Sequence, residues 1–168
     1  AQICYDRDTK SMSESRETRS RIMRAVRGAD TAPEIAVRRM LQSLGLSGYR
    51  LRRKDLPGSP DIAFIGRRKA IFVHGCFWHG HDCARGARVP KSNQEYWLAK
   101  ISRNRERDLA SLLTLNAMGW DSITVWECEL RDPTSVEFRL KNFHLKNLFH
   151  LIELNPKHLY YKLQPFDL

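Results

Sequence analysis

The sequence predicts an α/β domain in which helices flank a small mixed sheet, and three features predict this class. An amphipathic helix begins at a capping box, Thr31 to Glu34, and ends at Gly45. Residues 62–75, IAFIGRRKAIFVHG, have the pattern of two buried strands around a turn. A second long helix precedes a further strand at residues 120–128. With 168 residues and 42% hydrophobic content, the chain is long enough for one domain with a buried core.

The N-terminal residues predict a leader and a basic arm. We expect residues 1–13 to form a flexible leader, residues 14–135 a core domain, and residues 136–168 a C-terminal helical extension. Between Ser13 and Gly28 the chain carries five arginines, and Ile22 and Val26 stand four apart, as in a short helix. This segment is either a solvated, frayed arm or an arm that lies along phosphates, and the basic character of the chain favours the second interpretation.

The middle of the chain predicts a hairpin that brings polar residues together. A short strand is expected over Tyr49–Lys54, before the turn-rich segment that leads into the two buried strands. Asp61 stands at the entrance of the first buried strand, and Val73 and His74 stand at the exit of the second. Because the strands of an antiparallel hairpin run side by side, we expect Asp61 to neighbour Val73 and His74.

Two further helices are predicted in the second half. Ser92 to Glu95 fits another capping box, and a helix then runs to about Met118, where Gly119 ends it. Its predicted buried side is apolar and consists of Ile101, Leu109, Leu112 and Leu113. After the strand at residues 120–128, a last amphipathic helix is expected from Pro133, with Asn155-Pro156 ending it. Its apolar residues are Val136, Leu140, Phe143 and Leu148.

The charge of the chain indicates a polyanionic partner. The formal net charge is +10 and the isoelectric point is near 9.8, which favours nucleic acid and, less strongly, a membrane surface. No apolar run is long enough to span a bilayer, and the first residues lack the apolar stretch of a signal peptide. We therefore expect a reducing cytoplasm, in which cysteines serve as metal ligands more often than as disulfides. Cys4, in the polar leader, is the expected bystander.

The segment VHGCFWHGHDC, residues 73–83, predicts a structural zinc site. Tetrahedral zinc takes four nitrogen or sulfur ligands, and a closed four-ligand site is structural. We expect His81 to supply the nitrogen, because it lies inside the loop that two cysteines close. The predicted ligands are Cys76, His81, Cys83 and Cys128. The alternative is that these are ordinary buried cysteines beside surface histidines.

The remaining polar residues of this region predict hydrolytic chemistry. If His81 binds zinc, His74 and His79 remain beside the carboxylate of Asp61. Histidine accepts protons near neutral pH, and a carboxylate binds hard cations such as Mg²⁺. Together they are suited to metal-assisted phosphodiester hydrolysis, in which Mg²⁺ lowers the pKa of water and neutralises phosphate charge.

The aromatic residues of the same segment suggest contact with a duplex. Phe77 and Trp78 lie between the zinc ligands and the candidate bases, where rings pushed between base pairs would open and bend DNA. Trp97 could join them at the start of the long helix. The alternative is that these rings cover the zinc site, and for Trp97 alone that alternative is the stronger one.

Several motifs taken together resemble the very short patch repair (Vsr) DNA mismatch endonuclease family. They are RSRIMRAVRGADTAPE, LPGSPDIAF, IFVHGCFWHGHDC, EYWLAKISRNRERD and GWDSITVWECEL, in order over roughly residues 15–131. The resemblance implies a restriction-endonuclease-like core and a bacterial, nucleoid-associated enzyme. It also implies a nick in one strand beside a T:G mismatch that arises when 5-methylcytosine deaminates, which initiates very short patch repair. A mismatch-repair protein is an implied partner, and an asymmetric lesion suits a monomer.

The resemblance also implies residue roles. Asp61 would hold catalytic Mg²⁺ together with the backbone carbonyl of Val73, and His79 would be the general base. His74 and Glu34 would assist at the phosphate, although the capping box alone accounts for Glu34. Cysteine and histidine ligands would hold structural zinc, as inferred above from the residues. The implied DNA contacts are an aromatic wedge and an arm residue in the minor groove: Phe77, Trp78, Trp97 and Met23.

Three departures from the family pattern keep alternatives open. Val73 replaces a frequent threonine, Gly80 and Asp82 interrupt a run of histidines, and the tail beyond about Ser135 has no family counterpart. The first alternative is a homing or restriction-linked nickase with another target. The second is a zinc-stabilised DNA-binding module without catalysis. A structural or partner-docking protein is the weakest alternative, because it leaves the histidines and Asp61 unexplained.

Overall fold

A computed structural model describes residues 29–90 and 93–146. Outside these ranges lie Cys4, the predicted arm at residues 13–28 with Met23, and the chain beyond residue 146. The helices, in chain order, are α1 (Ala32–Ser43), α2 (Gln94–Ala117) and α3 (Pro133–Leu145). The strands are β1 (Arg50–Leu51), β2 (Ile62–Phe64), β3 (Lys69–His74) and β4 (Asp121–Trp126). Short 3₁₀ turns span Ile65–Arg67 and Glu127–Arg131.

The four strands form one mixed sheet in the order β1-β2-β3-β4. β2 is antiparallel to both β1 and β3, whereas β3 and β4 are parallel and α2 forms the crossover between them. In the parallel pair, Val73 lies opposite Val125 and His74 lies opposite Trp126. The predicted α/β class, with helices around a mixed sheet, is confirmed.

Helices cover both faces of the sheet. Ile62, Phe64 and Ile71 pack with α1 and α3 on one face. Their strand neighbours Ala63, Ala70 and Phe72 pack with Leu115 and Trp120, at the end of α2, on the other face. This alternation follows from the two-residue period of a strand. The sheet is therefore buried between two helical layers, and the polar site residues lie at one end of it.

The start of α1 follows the prediction. Thr31 is the N-cap and accepts from the Glu34 N–H, while the Glu34 side chain accepts from the Thr31 N–H. Each such bond satisfies a donor that the first helical turn cannot pair internally. Helix α1 ends at Ser43, and Gly45 adopts the left-handed conformation at φ +67°. The capping-box prediction is confirmed, and so are the two buried strands.

Two boundaries differ from the prediction. The first strand contains only Arg50 and Leu51, because the following Arg52 turns the chain with φ +48°. Helix α2 begins at Gln94, and its N-cap is Asn93, whose side chain makes no capping hydrogen bond. Residue 92, the predicted cap, lies outside the described ranges. The observed N-cap is thus one residue later than the predicted one.

The predicted buried side of α2 was partly wrong. Leu109 and Leu113 are exposed, by 48% and 58%, while the buried residues of α2 are Trp97 and Leu115. The face turned toward the sheet follows the helical spacing through Ile101, Asn104, Asp108 and Leu112. The apolar residues of the sequence do not reveal this face, because its centre is polar.

Helix α3 packs tightly against the core. Val136 and Leu140 are each 1% exposed and contact the cluster formed by α1 and the sheet. Lys69 is fully buried, and its ammonium donates to the carbonyl of Phe143 near the end of α3 and lies 3.7 Å from Asp121. Burial lowers the pKa of Lys69. The core packing therefore continues beyond residue 135, and the domain boundaries stay predictions.

Among the described residues, none of the helices combines the length and apolar character that a membrane crossing requires.

Candidate functional site

The hairpin of β2 and β3 positions Asp61. Its carboxylate accepts from the backbone N–H of Val73 at 2.7 Å, so the predicted neighbours are indeed adjacent. Burial raises the pKa of Asp61 to about 6, and the nearby charge of Glu34 adds to that effect. A carboxyl group with this pKa is charged at neutral pH and loses its charge in mild acid. It is therefore suited to bind a cation that offsets the cost of its burial.

Glu34 is 8% exposed, and both of its carboxylate oxygens are already hydrogen-bonded. One oxygen accepts from the Asp30 N–H at 3.0 Å, and the other accepts from the Thr31 hydroxyl at 2.8 Å. Glu34 thus completes the cap of α1 while its charge acts on Asp61.

The candidate base is held by two neighbours. The His74 and His79 rings are stacked, with centroids 3.8 Å apart and planes inclined by 8°. Nδ1 of His79 lies 2.5 Å from a carboxylate oxygen of Asp108 on α2. Burial, followed by the charge of His79, lowers the pKa of His74 to about 4. His74 is therefore neutral at physiological pH, and it presents an uncharged ring to His79.

Asp108 is the principal residue that sequence reasoning missed. Burial by itself raises its pKa, but the hydrogen bond from His79 and the charges of both histidines leave the pKa of Asp108 below its usual value. A carboxylate bonded to Nδ1 fixes the tautomer and orientation of an imidazole. The sequence held one signal for Asp108, because helical spacing places it on the same face of α2 as the buried Trp97 and Leu115.

These side chains line one cavity of about 250 Å³. Its lining brings together Glu34, Asp61, His74, His79 and Asp108, and also includes Arg107 at the rim. The backbone of Val73 contributes to the wall as well. The cavity thus contains carboxylate oxygens of the kind that hard cations prefer, a histidine bonded to a carboxylate, and a cationic side chain.

The second cluster consists of sulfur and one imidazole. The ligand atoms of Cys76, His81, Cys83 and Cys128 all lie within 4.8 Å of one another. Cys128 lies in the 3₁₀ turn just after β4, and its Sγ is 3.4 Å from Nδ1 of His81. Three thiols and one imidazole are the donor set of a structural zinc site, so these residues fit the predicted ion. His79 lies outside this cluster.

The cysteines of this cluster differ in their acidity. A hydrogen bond from His81 lowers the pKa of the Cys83 thiol to about 6, whereas burial raises that of Cys76 to about 12. Metal binding requires thiolates, so an ion at this site would displace protons from the buried thiol. The turn around the cluster is tight, since a Cβ on Gly86 would lie 2.0 Å from the His81 carbonyl oxygen.

The predicted aromatic residues also form a cluster. The Phe77 ring centroid lies 5.1 Å from that of Trp78 and 5.5 Å from that of Trp97. Trp97 is 8% exposed, whereas Phe77 and Trp78 are half-buried. The Lys100 ammonium lies 5.4 Å from the Trp78 ring centroid and 5.6 Å from that of Trp97. We call the three rings the aromatic wedge.

Helix α2 connects the aromatic wedge to the cavity that contains His74 and His79. The Asn104 side chain donates to the carbonyl oxygen of Trp78 at 2.8 Å, and one turn further along the helix Asp108 contacts His79. Four residues along an α-helix correspond to about 6 Å. No sequence feature predicted a role for Asn104 or Lys100. Asn104, Lys100 and Asp108 all lie on α2, so together they fix the 73–83 segment against this one helix.

Comparison with known proteins identifies the family. The Vsr family, described as DNA mismatch endonuclease Vsr, matches residues 13–85, which include Asp61 and three of the four candidate zinc ligands. A type II nicking enzyme, V.XorIIP of Xanthomonas oryzae pv. oryzae, is 52% identical over 76% of this chain and 93% of its own length.

Two other relatives agree with this assignment. The DNA mismatch endonuclease Vsr of Escherichia coli is 44% identical over 68% of this chain and 72% of its own length. The type II nicking enzyme V.NmeAIP of Neisseria meningitidis is 41% identical over 73% of this chain and 86% of its own length. The predicted resemblance is confirmed, and the chain belongs to the Vsr family of DNA endonucleases and nicking enzymes.

Proposed function

We propose that this protein is a Mg²⁺-dependent endonuclease that nicks one strand of duplex DNA beside a T:G mismatch produced by 5-methylcytosine deamination. The nick would initiate very short patch repair. The observation that carries the proposal is the cavity in which Asp61, His79 and Asp108 meet. A relative that is 44% identical bears the name DNA mismatch endonuclease, which supports the choice of a mismatch as target.

In this proposal the chain's own residues divide the chemistry. Asp61 and the carbonyl of Val73 would hold Mg²⁺, which when bound supplies positive charge to the phosphate. Asp108 keeps the proton of His79 on Nδ1 and so leaves Nε2 free to accept a proton from the attacking water. His74 stays neutral and packs against the ring of His79, and Glu34 adds negative charge near Asp61.

The remaining residues would bind and orient the duplex. The aromatic wedge would enter the base stack at the mismatch, at a cost of a few kcal/mol of unstacking. Met23 and the surrounding basic arm would cross the minor groove, and exposed Arg103 and Arg107 would contact phosphates. Cys76, His81, Cys83 and Cys128 would hold Zn²⁺ as a scaffold. We also propose that the protein has a restriction-endonuclease-like fold and acts as a monomer. It would work with a mismatch-repair protein and be located in the cytoplasm, associated with the nucleoid.

The test is a nicking assay on labelled duplexes that differ in one base pair. With Mg²⁺, we expect one cut in the thymine strand of the T:G duplex and no cut in the matched C:G duplex. Neither Asp61→Ala nor His79→Ala should cut, and both should keep the zinc content of the parent. Nicking by either variant at the parental rate would refute the assigned roles.

A second candidate is a nickase linked to a restriction system, with a recognition sequence of its own. The observation that favours it is that several relatives, including the one that is 52% identical, are named type II nicking enzymes. It would use the same catalytic residues and differ in the duplex that it cuts. A panel of T:G mismatches in different flanking sequences separates the two candidates. Binding of T:G duplex without any Mg²⁺-dependent product would instead indicate a non-catalytic DNA-binding module.

A further inference from the structure

The carboxylate of Asp30 bridges two arginines from different parts of the fold. One of its oxygens accepts from the Arg38 guanidinium on α1 at 2.6 Å, and the other accepts from Arg52, just after β1, at 3.2 Å. Arg38 and Arg52 are 14 positions apart in the chain, and within the described residues this carboxylate is hydrogen-bonded to both. Asp30 therefore connects the start of α1 to the edge of the sheet.

Each end of this bridge is bonded to one wall of the Asp61 cavity. On the helix side, the Asp30 N–H donates to the Glu34 carboxylate at 3.0 Å, and Arg38 donates to the Glu34 carbonyl at 3.3 Å. On the sheet side, the Arg52 N–H donates to the carbonyl oxygen of Asp61 at 3.1 Å. The bridge thus sets how the helix that carries Glu34 lies relative to the strand entrance that carries Asp61.

The backbone at both ends of the bridge is unusual. Asp30 has φ +54° and Arg52 has φ +48°, and both lie in the left-handed region, which residues other than glycine adopt uncommonly. The pair of Asp30 with Arg52 is half exposed, with 48% and 43% of the two side chains accessible, whereas the Arg38 side chain is 20% accessible. An exposed pair contributes little to stability, so stability does not explain the bond between Asp30 and Arg52.

We propose that Asp30 is a positioning residue for the divalent-cation site, because it fixes the separation between the Glu34 and Asp61 carboxylates. Neither Asp30 nor Arg52 contacts the cation in this proposal; both act through hydrogen bonds to the residues that line the cavity. The inference rests on the proposed function only in placing a hard divalent cation at Asp61. Loss of the bridge should weaken cation binding and leave the fold intact.

The experiment measures Mn²⁺ binding to the zinc-loaded, DNA-free protein by electron paramagnetic resonance. We expect saturable binding to the parent and none to Asp61→Asn. Asp30→Asn removes the charge, and Asp30→Gly removes the carboxylate but tolerates the positive φ. Both variants, and Arg52→Ala, should raise the dissociation constant about five- to tenfold while their melting temperatures stay within a few degrees of the parent. The double variant Asp30→Gly/Arg52→Ala should show no more loss than either single variant.

Arg53 and Asp55 provide a matched control. They form an ion pair with two bonds of 2.6 Å, one and three residues beyond Arg52, with no bond to the cavity residues among the contacts described. Arg53→Ala and Asp55→Ala remove the same charges from the same surface and should change the dissociation constant less than twofold.

Three outcomes would overturn the inference: no saturable Mn²⁺ binding to the parent, unchanged binding in the Asp30 variants, or equal losses in the Arg53 and Asp55 controls. A parent that binds Mn²⁺ through Asp61 but never nicks T:G duplex would refute the proposed function and leave this inference standing.

Discussion

Two clusters of metal-type ligands draw on the 73–83 segment, and they differ in ligand chemistry and in surroundings. The first, formed by His74, His79 and Asp108, lines an open cavity together with Asp61. The second consists of three thiols around His81 and contains no carboxylate. His79 is bonded to a carboxylate and stacked on another imidazole, whereas the His81 ring is stacked on Trp126 at 4.2 Å and faces a thiol.

One short segment thus contributes residues to two chemically different clusters. Soft thiol ligands close around an ion and need no open position, which suits a scaffold. Oxygen ligands beside a supported histidine leave room for a substrate, which suits catalysis. A positive φ of +59° at Gly80 reverses the chain between the two histidines, so that each reaches a different cluster. This separation predicts distinct effects for substitutions at the two clusters.

Loss of a ligand from the thiol cluster should affect the whole domain. Structural zinc contributes about 10 to 16 kcal/mol in small zinc-binding peptides, which is comparable to the total stability of a domain. Cys76→Ser should therefore yield a protein without bound zinc and without a cooperative thermal transition, as measured by metal analysis and circular dichroism. Cys4→Ser, which changes the cysteine outside the cluster, should retain one zinc and the parental transition. A zinc-free Cys76→Ser protein that melts like the parent would show that the cluster is not a scaffold.

Asp61→Asn should abolish nicking and yet stabilise the cation-free fold. Its pKa is raised to about 6 in the folded state, so the folded state holds this proton more tightly than the unfolded chain does. The stability that Asp61 contributes is thus complete below about pH 4 and is lost as the pH rises through 6. At pH 8 the variant should be more stable by up to about 2 to 3 kcal/mol, and near pH 4 equally stable.

The measurement is urea denaturation of the zinc-loaded protein at several pH values without Mg²⁺. A stability difference that does not change between pH 4 and pH 8 would contradict the raised pKa of Asp61.

The same pKa predicts that the parent requires more Mg²⁺ for nicking as the pH falls through 6, because protons then compete for the carboxylate.

Asp108→Asn should impair catalysis without loss of zinc. The amide cannot hold the His79 proton on Nδ1 as a carboxylate does, so we expect the single-turnover rate to fall about a hundredfold, within the range of general-base catalysis. Glu106→Gln is the matched control, since it removes a negative charge from an exposed position of the same helix. Equal rates for the two variants would mean that Asp108 does not support the base.

The smallest predicted effect concerns the aromatic wedge. Stacking of an aromatic side chain on a base contributes about 1 to 3 kcal/mol. Phe77→Ala should therefore reduce the preference for T:G over matched duplex about tenfold or more, measured as the ratio of binding constants. Phe138→Ala, which removes a ring that is 67% exposed on α3, should leave that ratio unchanged. Equal loss of binding to both duplexes would mean that Phe77 contributes to DNA affinity in general and not to mismatch preference.

Local sequence rules predicted the elements well wherever one interaction decides the outcome. The cap at Thr31 and Glu34 needs only four consecutive residues, and the contact between Asp61 and Val73 follows from pairing in a hairpin. The thiol cluster was also predicted, since few side chains in the chain can supply sulfur. These features depend on short spacings that the sequence displays directly.

What the sequence did not reveal depends on the packing of distant elements. Asp108 lies 29 positions from His79, and only the docking of α2 on the 73–83 segment brings them together. Likewise, the exposed Leu109 and Leu113 were predicted to be buried, because apolarity alone does not tell which side of a helix meets the sheet. The bridge from Asp30 to Arg52 was missed for the same reason.

The most direct test of the division between the two clusters is the zinc-edge X-ray absorption spectrum of His79→Ala. We expect the parental spectrum, with three sulfur ligands at about 2.3 Å and one nitrogen at about 2.0 Å. A spectrum that has lost its nitrogen ligand would place His79 in the zinc shell and would remove the proposed base from the catalytic site.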